Sequence, residues 1–164
     1  MRKIAEYLLA AVAIAAIGGG AVVIGLYGIN PGSVTRPANS QPFAGEPASL
    51  LAAGLARHGD TSLSRNGRSC NTCHLETDSY LATFNKPYPH FVQSVRLKTG
   101  LDKITAEGMV QFCMVSALGA DPLPWDSETL AALTAFVLER HNKVVGQSTR
   151  PDSMVDMTCE SPPS

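Results

Sequence analysis

The 164-residue chain has no surplus charge of either sign: 13 lysines and arginines stand against 14 aspartates and glutamates, for a net charge of −1. Without a basic excess there is no electrostatic footprint for nucleic acid. No stretch of the sequence repeats itself, which excludes solenoids and arrays. Cysteine is scarce, four in all, and only Cys70 and Cys73 are closely spaced. Cys113 and Cys159 lie far apart with no histidine near them, so the second half of a zinc site is missing. Also missing is the alternating strand and helix pattern that surrounds a thioredoxin-like thiol pair. A cleavage site after the apolar N-terminus is lacking as well. Ala13-Ile14-Ala15 falls too early for one, and Asn30-Pro31-Gly32 has the wrong residues.

What is present begins with that N-terminus. Arg2 and Lys3 precede an apolar run from Tyr7 to Ile29. At the helical rise of ~1.5 Å per residue the run is long enough to cross a hydrocarbon core of ~30 Å. Residues 1–29 are therefore expected to be an uncleaved single-pass anchor. The basic residues stay in the cytoplasm, which puts the rest of the chain on the periplasmic side of a bacterial inner membrane. Gly18, Gly19, Gly20, Gly25 and Gly28 would let another membrane helix approach closely, which suits a subunit of a larger complex. Residues 30–47 carry Pro31, Pro37, Pro42 and Pro47 and are expected to be a semi-extended tether. One small domain then spans 48–142, and 143–164 form a polar tail.

Within that domain, Cys70-Asn71-Thr72-Cys73-His74 has the C-x-x-C-H form that attaches haem through two thioethers, with the histidine as the proximal iron ligand. The motif occurs once, so one haem c is expected, bound by Cys70, Cys73 and His74. Cations outnumber acids from Leu55 to Lys103, and acids outnumber cations beyond it. The haem motif thus lies in the basic half, where it would steer an acidic redox partner.

The periodicity predicts an all-α fold: a small cytochrome c domain preceded by one transmembrane helix. A first helix runs from Ser49 to His58 and stops at Gly59. The haem motif follows a loop, and Lys86-Pro87-Tyr88-Pro89-His90 forms another loop laid over a haem face. Thr105 caps a helix from Ala106 to Leu118, ended by Gly119. Asp126 caps the last, which runs to about Asn142 with Leu130, Leu133, Phe136 and Val137 inward.

The second axial ligand is open at this level. Met154 and Met157 fall in the polar tail, His90 lies in a loop, and Met109 reads as helix core. Met114 and its neighbour Cys113 remain. They point ~100° apart on one helix, so they cannot share the iron. Cysteine parity offers a different use for Cys113, a disulfide with Cys159 that pins the tail and leaves Met114 as ligand. Met114 is the first choice and Cys113 the alternative.

The stretch QFCMVSALGADPLPWDSETLAALTAFV, with CNTCHLE ahead of it, resembles the haem domains of thiosulfate dehydrogenases and SoxA-type sulfur-oxidation cytochromes over roughly residues 66 to 138. That resemblance implies that the cysteine at Cys113 ligates the iron and that sulfur chemistry occurs at the haem; on the catalytic reading this chain's Arg96 and Lys98 are the candidates to neutralise an anion. The chain departs from the thiosulfate dehydrogenases in having a single haem motif and in placing Met114 directly after the cysteine. Two functions follow from the two ligands. A His/Met site suits a membrane-tethered electron carrier between a dehydrogenase or respiratory or photosynthetic complex and another carrier or oxidase, with no catalysis of its own. A haem-thiolate site suits a catalytic subunit that oxidises an inorganic sulfur compound such as thiosulfate.

Overall fold

The computed structural model describes residues 28–74 and 86–147. Most of the expected anchor and most of the tail lie outside them. No helix among the described residues is long and apolar enough to cross a membrane. Those residues are mostly helical, and their only β pairing is an isolated bridge between His90 and Ile104. The helices are α1 (Pro47–His58), α2 (Cys70–His74), α3 (Gln93–Thr99), α4 (Ala106–Ser116) and α5 (Glu128–Gln147).

The starts of these helices are chemical. Pro47 sits at the first turn of α1, where its missing N–H costs nothing, and the Glu46 carboxylate accepts the Ser49 N–H at 2.9 Å. The helix thus begins two residues before the expected Ser49. Thr105 caps α4 as expected, accepting the Gly108 N–H at 3.1 Å. For α5 the cap is Ser127, not the expected Asp126: its hydroxyl accepts the Leu130 N–H at 3.2 Å. α5 also runs past Asn142 to Gln147. The helix α3 was not foreseen. It ends at Gly100, whose φ of +79° is the left-handed conformation glycine tolerates best.

α1 and α5 make the most extensive helix pair, with α4 packed on α5. Gly54 sets the close approach of the first pair. A Cβ there would meet the Ala132 carbonyl oxygen well inside contact distance and the Phe136 Cβ at 2.7 Å. Two apolar clusters fill the interior. One joins Val34, Val92, Val95, Ile104, Met109 and Phe112, and the other joins Val110, Leu130 and Leu133. Gln111 is fully buried and fully paired. Its amide donates to the Leu123 carbonyl at 2.7 Å and accepts the Leu123 N–H at 2.8 Å. That pair of bonds holds the Pro122-Leu123-Pro124 turn against α4.

The segment expected to be a tether is docked on the domain. Val34 is 2 % exposed, and its carbonyl closes on Gly108 of α4. Arg36 forks onto Glu107 at 2.9 and 2.7 Å and lies over the Trp125 ring at 5.2 Å. A forked, part-buried ion pair backed by a cation–π contact stabilises the docked state by about 1–2 kcal/mol. Proline does exclude regular structure here, but one buried valine and one arginine suffice to fasten the chain.

Candidate haem site

The haem motif forms α2 itself, so Cys70 and His74 are one helical turn apart. Ser69 and Thr72 reinforce its start, the Ser69 N–H donating to the Thr72 hydroxyl at 3.0 Å. The loop before it is tied to the end of α4. The Arg65 N–H donates to the Leu118 carbonyl at 3.1 Å, and the Asn66 amide donates to Ala117 at 2.9 Å. α1 contributes His58, which is 4 % exposed. Its Nδ1 lies 2.5 Å from Asn71 Oδ1, and its ring lies 4.7 Å from Phe136 and 6.3 Å from His74. The crossing of α1 and α5 thereby fixes where α2 sits.

Electrostatics at the site follow from burial. Desolvation, then the charge of His58, brings the His74 imidazole down to about 4. It is neutral at physiological pH, the form in which an imidazole ligates a metal. Burial raises the Cys70 thiol. Cys113 is pushed up to about 12, first by burial and then by the Cys70 charge, with Lys98 opposing. Cys113 of α4 is thus within charge-interaction range of Cys70 on α2. Tyr88 borders the same space: burial raises its hydroxyl, and the Cys113 charge raises it further.

The two apolar clusters meet here. Cys70 packs on the Val110 cluster, whereas Cys113 and Tyr88 pack on the Val34 cluster. Cys70, His74 and Cys113 are each half-buried. Met114 is 2 % exposed and Met109 6 %, both closed over by protein. Met154 and Met157 lie outside the described residues. Cys113 is a free thiol in this structure. The thiol is turned inward, and Cys159 lies outside the described residues. Cys73 is in a disulfide in this structure, and haem attachment requires that sulfur in its reduced state. The donor set fits a haem: a thiol and a neutral imidazole on one short helix, with an apolar wall on either side.

A family model for the SoxA/TsdA cytochrome c domain matches residues 60–144. The chain belongs to the SoxA/TsdA cytochrome c family. No curated protein and no solved structure matches it. As a member of that family it is a c-type cytochrome with covalently attached haem c, working in electron transfer or sulfur oxidation. The matched range takes in α2 through α4 and most of α5, and leaves the docked N-terminal segment outside.

Several residues of the SoxA/TsdA domain's site were not singled out in the sequence. His58 reads as the end of an amphipathic helix, and only the Gly54 contact brings it beside α2. Tyr88 stacks on His90 at 4.5 Å and lies 5.7 Å from His141 of α5. His90, read from sequence as a loop histidine, is therefore interior, at 7 % exposure. Burial lowers its pKa, with the His141 charge adding to the effect. The unfolded chain takes up the His90 proton near the ordinary value of 6.5, and the folded protein only at a lower pH. Stability from this group is thus present above pH 6.5 and lost as pH falls from there toward the depressed folded value. Thermal unfolding of the haem-loaded protein between pH 7 and 5 should show a falling melting temperature, with a shallower slope in His90→Gln.

Proposed function

We propose that Cys113 is the second axial ligand of a single haem c, and that this site oxidises an inorganic sulfur anion and passes the electrons singly to a redox partner. The anchor at residues 1–29 holds the protein in a bacterial inner membrane with its haem domain in the periplasm. The observation that carries the ligand choice is the placement of Cys113. It is half-buried and within electrostatic reach of Cys70, whereas Met114 is sealed in the protein. Bound haem supplies an iron centre that accepts one electron at a time.

The chain's own residues supply the rest. Cys70 and Cys73 would hold the cofactor, and His74 would offer its neutral nitrogen to the iron. Cys113 would offer its sulfur, with Lys98 near enough to favour the thiolate. The same lysine, over the Phe112 ring at 6.0 Å, draws anions toward that face. Tyr88 and the apolar clusters keep the site dry, which strengthens every charge interaction in it.

The test is turnover. The purified full-length protein in detergent, given thiosulfate or sulfite and a one-electron acceptor, should reduce the acceptor. Cys113→Ala should abolish that reaction, with its haem content unchanged. A second reading, the pure electron carrier, is favoured by the burial of the Cys113 sulfur itself, which, although the residue as a whole is half-buried, pushes the thiol up to about 12 and keeps substrate from it. Rapid haem reduction by a carrier protein, with no turnover on any sulfur anion, would establish that reading instead.

A further inference from the structure

The apolar run that the sequence assigns to a bilayer ends at Ile29, and Ile29 is already part of the folded domain. Its N–H donates to the Lys98 carbonyl near the end of α3 at 3.0 Å, and its side chain packs on the Val34 cluster. Each residue of chain spans at most ~3.6 Å, so a bilayer holding the run would begin within a few residues' reach of α3. Val34 and the Arg36–Glu107 fork fasten the next stretch, so no slack separates anchor from domain.

The outward side of this region has the chemistry of a membrane interface. Val95 and Thr99 form the buried stripe of α3. At ~100° per residue Leu97 stands nearly opposite both, and it is 65 % exposed. Phe91, just ahead of the helix, is 55 % exposed and alternates with the buried Val92. Of the four cations around them in sequence, Arg96 is paired with Asp102 at 2.8 Å and Lys98 lies over the Phe112 ring, while Lys86 and Lys103 are exposed. Exposed apolar side chains among cations are what an interfacial segment presents to anionic headgroups.

We infer that the outward face of α3, with Phe91 and Leu97, rests on an anionic phospholipid surface and holds the haem domain at a fixed attitude to the membrane. The inference builds on the membrane-anchor reading proposed above. It changes what that reading means for electron transfer. A domain on a free tether searches for partners through a volume. A domain clamped at both Ile29 and α3 presents one haem edge, and its partner must come to that edge along the membrane.

The experiment uses the full-length haem-loaded chain in nanodiscs of phosphatidylglycerol and phosphatidylcholine, with and without lipid brominated near the headgroup. Leu97→Trp, Phe91→Trp and Leu55→Trp are compared, Leu55 being 60 % exposed on α1. The emission of the unsubstituted protein, which carries Trp125, is subtracted in each disc, and the ratio of brominated to unbrominated emission then normalises for quenching by the haem. At positions 97 and 91 the ratio should fall about twofold, as for an indole buried ~5–10 Å into the interface, and at 55 it should stay near one. Equal ratios at all three positions, in discs that hold the protein with its haem spectrum intact, overturn the inference and leave the anchor reading standing. Equal ratios with blue-shifted emission at 97 overturn it too, and give the face to a second copy or another subunit. A chain that fails to enter the discs overturns both. Quenching as strong in purely zwitterionic discs overturns the assignment of anionic lipid.

Discussion

Gly54→Val should destabilise the domain by about 3 kcal/mol or more, at the upper end of what overpacking costs. The reason is the target of the clash. The nearest atom is the backbone carbonyl oxygen of Ala132, in the second turn of α5, and the next is the Phe136 Cβ. Neither can swing aside as a side-chain tip would, so the helices must separate. Separation forfeits dispersion contacts along the whole α1–α5 seam. It also moves His58, whose ring touches Phe136 and whose Nδ1 meets Asn71 of the haem helix. The folding defect should therefore be accompanied by a haem-site defect. A domain this small has a total stability of roughly 5–15 kcal/mol, so a loss of this size is visible in any denaturation curve. Urea unfolding of the haem-loaded protein, followed by haem absorbance and far-UV circular dichroism, measures it. Ala56→Val, on the exposed side of α1, is the control and should shift stability by no more than about 0.5 kcal/mol. Equal midpoints for the two variants would mean that Gly54 does not set the crossing.

The legible parts of this fold were those with local chemistry. The haem motif and the Thr105 cap depend on neighbours within a few residues, and each could be read directly; the stop expected at Gly119 comes earlier, α4 ending at Ser116 with Ala117 as its cap. The N-terminal segment could not. Its prolines gave the true signal that no helix forms there, but its docking depends on Val34 and Arg36 meeting α4, which lies some seventy positions onward in the chain. α3 escaped for a related reason. It is short, its buried stripe is only Val95 and Thr99, and the outward Leu97 blurs the periodicity. The histidines show the same limit. Nothing in Pro89-His90-Phe91 distinguishes a surface imidazole from one stacked on Tyr88 and sealed by an Ile104 pairing. The ligand question was undecidable for a similar cause. Adjacent residues on a helix differ only in azimuth, and the azimuth of α4 is set by what the Val34 cluster and α5 bury.

That azimuth makes the largest spectroscopic prediction, a contrast between Cys113→Ala and Met114→Ala. Removing a thiolate ligand takes negative charge off the iron and should raise the reduction potential by a few tenths of a volt, a sizeable part of the ~0.8 V range that axial ligands command. The oxidised protein should at the same time lose its low-spin thiolate spectrum. Met114→Ala removes a side chain that is 2 % exposed and closed over by protein, so its effect should be on packing. It should cost about 2–4 kcal/mol of stability while leaving spectrum and potential nearly unchanged. Redox titration followed by electron paramagnetic resonance separates the two cases in one set of samples. The opposite pattern, a methionine-ligand signature lost in Met114→Ala and untouched in Cys113→Ala, returns the iron to His/Met coordination and the protein to electron carriage alone. Cys113→Met would then be close to silent. Under thiolate ligation it should instead raise the potential, because a neutral thioether replaces an anionic sulfur at the same position on α4.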